Sequence, residues 1–269
     1  MQRSSVTKLD CVRVGPRFPA APLWRFSNGD YHLKKTSLLV AVAAAALALP
    51  ALAQAQTGYV DLRYSDIEDT DGFAIGGAVA TELSGVNLQF NVNHARMDFG
   101  GFDVSATDLV AHAFTQTDSY AVGGFVSSTS GVGTGVYCIV AEGSLYFGDF
   151  TLGGVVSYNT VDNGGGHFYN YAASARYFVA ENFSVAATYD NLDFSGGGDV
   201  DIWGLETEYQ FSNPVSVFAS YGNVDDGAFD YDKFSIGVRY NFGGDTLKAQ
   251  ERSGAKAMRS LSAAARETF

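Results

Sequence analysis

Near its carboxyl end the chain reads Phe234-Ser-Ile-Gly-Val-Arg-Tyr-Asn-Phe242, a run in which apolar and polar residues alternate. Because successive side chains of a β-strand point to opposite faces, one face of this strand would be apolar and the other polar. The polar face of a soluble sandwich meets bulk water, but here Arg239 and Asn241 lie opposite a run that ends in two aromatic residues. This arrangement is typical of a membrane-spanning barrel strand, with its apolar face toward lipid and its polar face toward a lumen.

Eleven further segments repeat this alternation, so the sequence predicts twelve strands. The segments cover residues 58–64, 73–79, 86–93, 108–116, 120–127, 136–147, 150–159, 168–178, 183–190, 202–211 and 215–222, before the last at 233–242. Most have the roughly 9–11 residues that a tilted membrane strand needs, and only the segment 108–116 leaves open which residues face inward. We therefore predict an all-β fold, a transmembrane up-and-down antiparallel β-barrel of twelve strands, with ten or fourteen strands as the alternatives.

The gaps between these strands alternate in length. Short turns fall at residues 84–85, 117–118, 148–149, 180–182 and 212–214, whereas the gaps at 65–72, 100–107, 128–135, 160–167, 194–201 and 224–232 are longer. Outer-membrane barrels have short periplasmic turns and longer external loops, so this pattern predicts the orientation of the barrel. Three of the predicted external loops are acidic, through Asp66, Glu68, Asp69, Asp71, Asp193, Asp199, Asp201, Asp225, Asp226, Asp230 and Asp232.

The amino-terminal region has the parts of a secretory signal. Lys34 and Lys35 precede the apolar run 38–49, and Ala51-Leu-Ala53 and Ala53-Gln-Ala55 are small-residue cleavage patterns. We assign residues 33–55 to a signal peptide and 56–242 to the barrel. Residues 1–32 are an extension that is either disordered or upstream of the true translation start, and 243–269 are a periplasmic tail that is disordered or weakly helical.

The charge and cysteine content of the exported part exclude a nucleic-acid-binding protein and a fold stabilised by internal disulfides. Residues 54–269 keep 10 of the 17 basic and 27 of the 29 acidic residues, a net charge of −17. Such a chain repels nucleic acid. Signal cleavage also leaves Cys138 as the only cysteine, so the exported fold must be stable without an internal disulfide.

Taken together, these features resemble a Gram-negative outer-membrane β-barrel protein of the porin type, from the small porin-like family. The resemblance is carried by the signal at 34–53, the immediate entry into a strand at Gly58-Tyr-Val-Asp-Leu-Arg-Tyr64, and the closing Gly237-Val-Arg-Tyr-Asn-Phe242. It implies that Gly237, Tyr240 and Phe242 form the assembly signal. The implied partners are the barrel-assembly machinery, outer-membrane lipid and lipopolysaccharide, with a homo-oligomer as a further possibility. Members of the family usually end on the last strand, whereas here 27 residues follow Phe242.

Strand parity predicts which side chains face the lumen. The candidate pore-lining residues are Asp61, Arg63, Asn87, Gln89, Asn91, Asn93, Glu142, Arg176, Asp190, Glu206, Glu208, Lys233 and Arg239. Charges of both signs suit either a wetted channel for small hydrophilic solutes or a filled barrel in which the arginines and carboxylates pair. The sequence leaves both interpretations open.

We therefore expect an outer-membrane porin for passive diffusion of small hydrophilic solutes or ions, with a preference for cations if the acidic loops surround its mouth. The alternative is a barrel that does not conduct and whose acidic loops serve adhesion or surface architecture. We expect no enzymatic activity and no cofactor or metal, because no GxSxG, HExxH or P-loop pattern occurs and the spacing of the loop aspartates does not match a calcium-binding EF-hand.

Overall fold

The structure, a computed structural model, describes residues 57–68, 70–98, 103–131, 134–162, 166–212, 214–227 and 230–253. These residues form twelve strands and one short helix. They are β1 (Thr57–Ile67), β2 (Thr70–Leu83), β3 (Val86–Asp98), β4 (Asp103–Gln116), β5 (Tyr120–Gly131), β6 (Thr134–Phe147), β7 (Phe150–Val161), β8 (His167–Ala180), β9 (Phe183–Phe194), β10 (Asp199–Gln210), β11 (Val215–Asp225), β12 (Asp230–Phe242) and α1 (Leu247–Ser253).

The strands form one closed barrel in chain order, which confirms the predicted twelve-stranded up-and-down fold. Closure pairs the first strand with the last, so that Val60 lies opposite Tyr240 and Asp61 lies opposite Arg239. Inside hydrocarbon every backbone N–H and C=O needs a protein partner. A closed ladder provides those partners without leaving an unpaired edge strand.

The two faces of the barrel wall have the opposite character to those of a soluble protein. Large apolar side chains point outward and are exposed, among them Ile139 with 68% and Phe73 with 66% of its surface accessible. Polar side chains point inward and are buried, among them Gln89 and Asn159 with 0% accessible. Burying amides while exposing isoleucine and phenylalanine is favourable only where the surrounding solvent is lipid.

The prediction of long external loops is wrong: the loops are shorter than predicted, because the strands continue well beyond their predicted ends. β1 and β2 stay paired up to Ile67 and Thr70, and β11 and β12 stay paired up to Asp225 and Asp230. In these extensions the outward positions hold polar residues, such as Asp66, Asp71, Asn223 and Asp232, so the apolar outward face that marks a membrane strand in the sequence is missing. Among the predicted loop aspartates, Asp69 lies outside the described residues.

The described part of the carboxyl-terminal tail contains the helix α1, and the assignment of the tail as disordered or weakly helical stays a prediction. No helix in the described part of the chain is long and apolar enough to cross a membrane. The predicted signal peptide at 33–55, the extension before it and the tail beyond Ser253 lie outside the described residues, and these assignments stay predictions.

Gly237 makes room for the ring of Phe218, which packs against the guanidinium groups of Arg63 and Arg239. A Cβ atom at Gly237 would lie 2.2 Å from Cζ of Phe218 and 2.5 Å from the carbonyl oxygen of Leu62. We expect Gly237→Ala to lower the free energy of unfolding by about 1–3 kcal/mol, because a buried site has no space for the added methyl group. Urea unfolding in lipid vesicles, followed by the fluorescence of Trp203, measures this loss.

The matched control is Gly222→Ala. Gly222 also faces inward, but the nearest atom to its added Cβ is the carbonyl oxygen of Trp203 at 3.6 Å, an ordinary contact. Equal losses in the two variants would contradict the steric explanation.

Candidate functional site: the barrel interior

All thirteen candidate pore-lining residues lie on the inward face of the wall. Asp61, Gln89, Asn93, Glu142, Asp190, Glu208, Lys233 and Arg239 are buried there. Arg63, Asn87, Asn91, Arg176 and Glu206 are half-buried at the inward positions of their strands. In the proposed assembly signal, Tyr240 is exposed on the lipid face and Gly237 is buried on the interior face.

Arg239 is the centre of one buried cluster. Its guanidinium donates to Asp61 Oδ2 at 3.2 Å and to Glu208 Oε2 at 2.8 Å. It also lies over the rings of Tyr59 and Phe218, at 4.7 Å and 4.9 Å from their centroids. One arginine therefore bridges two carboxylates from different strands and stacks on two aromatic rings.

Arg176 is the centre of a second cluster. Its guanidinium donates to Glu206 Oε1 at 2.7 Å and to the hydroxyl of Ser184 at 2.8 Å. It also approaches Glu251 of α1 at 3.7 Å. These contacts, with those of Arg239, are the pairing that the filled-barrel interpretation predicted for the arginines.

A chamber of about 150 Å³ lies beside both clusters. Its lining combines small and apolar residues with polar and charged residues of the wall and of the tail, the latter being Tyr59, Glu142, Ser174, Arg176, Glu206, Glu208, Arg239, Asn241, Gln250 and Glu251. The interior is therefore partly filled by ion pairs and partly hollow.

His112 and Glu142 form a buried pair that the sequence interpretation missed. His112 Nδ1 lies 3.1 Å from Glu142 Oε1, and both side chains are almost completely buried. His112 was not assigned to the lumen because either face of β4 could point inward. Its partner in the ladder is Gln89, a residue already predicted to face inward, so pairing with β3 could have resolved the ambiguity.

An apolar belt covers much of the inward face in the half of the barrel that is predicted to face outside the cell, and the sequence interpretation did not predict it. The belt consists of the buried residues Val110, Phe125, Cys138, Val140, Phe168, Leu192, Ile202 and Val224, with Val136, Val155, Val161, Val200 and Tyr231 packed against them. Every strand from β4 to β12 contributes to this belt. On β1–β3 most inward positions hold small or polar residues instead, such as Ser65, Gly72, Gly76, Asn91 and Asn93, with Ile67 and the buried Met97 as large apolar exceptions.

Three acidic residues at the predicted external ends of the strands, Asp71, Asp201 and Asp232, point outward and not into the mouth. The hydroxyl of Tyr189 donates to Asp201 Oδ1 at 2.6 Å, and that of Tyr221 donates to Asp232 Oδ1 at 2.6 Å. Tyr64 makes the same kind of bond to Asp71. These carboxylates therefore surround the outside of the wall, and no group of three or more metal-ligating side chains suited to an ion occurs among the described residues.

A closed barrel with a lipid-facing apolar surface and a charged interior defines an outer-membrane β-barrel protein. The chain belongs to the Gram-negative porin family, whose model matches residues 89–256. It is similar to a monosaccharide porin of Halomonas sp. and to the major outer membrane protein of Halomonas elongata. Each is 28% identical over 228 residues, with 72% of this chain and 58% of the relative covered. The chain thus spans about three fifths of the length of these relatives.

Two solved structures share the fold. The KdgM porin in complex with disordered oligogalacturonate is 13% identical, with a TM-score of 0.54 and 68% of this chain and 99% of that chain covered. The NanC porin is 10% identical, with a TM-score of 0.56 and 67% and 98% covered. At these identities the likeness concerns the barrel fold alone.

Proposed function

We propose that the protein is a porin that lets small hydrophilic solutes diffuse passively across the outer membrane, with a preference for cations. The observation that carries this proposal is the polar inward face, in particular the small and polar wall formed by β1–β3 beside the apolar belt. Small side chains extend only a short way into the interior, and amides exchange hydrogen bonds with water or solute hydroxyls. We infer that solutes pass along this wall.

The balance of charge on the inward face supports cations over anions. Six buried or half-buried carboxylates of the strands face inward, against four cationic side chains. The carboxylates are Asp61, Asp108, Glu142, Asp190, Glu206 and Glu208, and the cations are Arg63, Arg176, Lys233 and Arg239. An excess of one sign in a low-dielectric passage raises the local concentration of the opposite ion.

Small sugars are the neutral solutes that we expect to pass. The similarity to a protein named monosaccharide porin supports this class, as do the inward amides of Asn91, Asn93, Asn159 and Asn170. Liposomes containing the refolded chain should swell in an isotonic monosaccharide and much less in an isotonic trisaccharide. Equal swelling in both sugars would contradict a passage of this size.

Ion selectivity is tested in planar bilayers with the refolded mature chain. In a potassium chloride gradient we expect stepwise ohmic openings and a reversal potential of the sign that potassium permeation gives. Glu206→Gln should reduce the preference because it removes an inward charge, whereas Asp66→Asn, on the outward face at the external end of β1, should leave it unchanged. An anion-selective reversal potential would overturn the cation preference.

The second candidate is a barrel that serves adhesion or surface architecture without conducting. The outward direction of the external aspartates favours it, because these side chains face neighbouring molecules of the outer leaflet or the medium. Persistent silence in the bilayer, together with an absence of liposome swelling, would favour this candidate over the porin.

A further inference from the structure

The carboxyl-terminal tail turns back into the barrel. Gly243 follows β12 with a φ of +81°, a left-handed conformation that glycine adopts without strain and that reverses the chain. The helix α1 then lies in the periplasmic end of the interior, where Leu247 and Gln250 are only 7% and 6% exposed.

The tail contacts the wall at four places around its circumference. Gln250 Nε2 donates to the carbonyl of Gly58 on β1 at 3.0 Å, and Gln116 Nε2 on β4 donates to the carbonyl of Glu251 at 3.2 Å. Thr151 on β7 donates to Glu251 Oε2 at 3.3 Å, and Gln210 Nε2 on β10 donates to the carbonyl of Asp245 at 3.2 Å. In a closed barrel of twelve strands, β1, β4, β7 and β10 are evenly spaced, so the segment spans the opening and does not lie along one side of it.

Two basic side chains of α1 fasten the tail to the periplasmic turns. Lys248 Nζ donates to Asp149 Oδ1 at 2.7 Å and to Glu181 Oε1 at 3.1 Å, in the turns after β6 and β8. Arg252 donates to the carbonyl of Gly148 at 2.6 Å, and its guanidinium lies 5.3 Å from the ring centroid of Tyr146.

The pair formed by Lys248 and Asp149 stays charged near neutral pH. The hydrogen bond from Lys248 lowers the pKa of the Asp149 carboxyl, and the hydrogen bonds to Asp149 and Glu181 raise the pKa of the Lys248 ammonium. Because the pKa of Asp149 is lowered, the stabilisation by its charged carboxylate is lost only as the pH falls through that pKa. Because the pKa of Lys248 is raised, the stabilisation by its ammonium is lost only as the pH rises through that pKa.

The tail also forms one wall of the chamber. Leu247, Gln250 and Glu251 line it together with residues of the strands. Glu251 reaches Arg176, so the tail contributes a charge to the interior cluster itself.

We propose that residues 245–253 are a built-in plug that closes the periplasmic mouth of the barrel and controls access to the chamber. The plug is releasable, because a helix this short is unstable by itself and exposed ion pairs contribute little to stability. Gly243 and Gly244 connect it to β12 and provide the hinge. The channel conducts while the plug is undocked.

Access to the chamber is measured by modifying a single cysteine with a charged thiol reagent. In a Cys138→Ser background, Ser174→Cys places a thiol in the chamber lining. The plug is released by Leu247→Asp, which charges a buried apolar residue, combined with Lys248→Asp, which turns an attraction to Asp149 and Glu181 into repulsion. The matched control is Arg96→Asp, because Arg96 forms an exposed ion pair with Asp103 near the external end.

We expect the released variant to be modified at least about ten-fold faster than the parent chain, since modification follows the population of the open form when opening is fast. The Arg96→Asp control should react at the parental rate. Circular dichroism verifies that each barrel is folded. A second variant that ends after Gly244 should react at least as fast as the released one. Equal rates in the folded parent and both tail variants would overturn the plug.

The same variants separate this inference from the proposed function. Faster modification without conductance in any variant would support the plug and contradict the porin. Conductance of equal size and open time in all variants, with equal modification rates, would support the porin and contradict the plug.

Discussion

Replacing Arg239 with leucine is expected to lower the free energy of unfolding by about 3–5 kcal/mol, the range found when one partner of a buried ion pair is removed. Only 10% of the side chain of Arg239 is exposed, and its carboxylate partners Asp61 and Glu208 are 6% and 5% exposed. Without the guanidinium, two like charges from β1 and β10 would remain in the interior without their main counterion. Urea unfolding in lipid vesicles measures the loss.

The control for this prediction is Arg96→Leu. Arg96 also pairs with an aspartate, Asp103, but their side chains are 63% and 49% exposed. Exposed pairs typically contribute about 0–1 kcal/mol, so little loss is expected. Adding Glu208→Gln to Arg239→Leu should restore part of the lost stability, because it removes one of the two uncompensated charges. An Arg239→Leu barrel as stable as the parent would show that water already solvates these carboxylates.

The alternation of the sequence was sufficient to predict the strands, their number and, except for β4, their faces. At 145–152 the two-residue turn Gly148-Asp149 sets the register of its hairpin, in which Leu145 pairs with Leu152. The lipid face is the most predictable part, because any apolar side chain of suitable size satisfies it. All thirteen candidate residues lie at inward positions of their strands, and their role in lining a pore stays a prediction.

The interior contacts were beyond prediction because they join residues that are distant in the sequence. Alternation shows that Arg239 points inward, but not that its partners are Asp61 and Glu208, 178 and 31 residues away. Nor does it distinguish a lumen residue that contacts water from one that packs on another side chain, as Ile202 and Val224 do. Nothing in the sequence predicted that α1 docks inside the barrel, since the tail follows the last strand and carries no alternating pattern.

The second large effect is expected from the apolar belt. Ile202 and Val224 are each 1% exposed although they face the interior, so other side chains cover them. They are neighbours across the pairing of β10 and β11. A hydrophobic constriction resists wetting and thereby blocks ions even where a gap exists. We therefore expect the double substitution Ile202→Ser and Val224→Ser to raise the single-channel conductance several-fold in planar bilayers.

The double substitution Ile202→Ala and Val224→Ala distinguishes an effect of wetting on the conductance from an effect of the size of the passage. It enlarges the interior by a similar amount but keeps the surface apolar, so we expect a smaller rise in conductance than with serine. Leu205→Ser is the control on the same strand, because Leu205 points to lipid and is 55% exposed. If serine and alanine variants conduct equally well, packing volume limits the passage; if neither changes the conductance, ions bypass the belt along β1–β3.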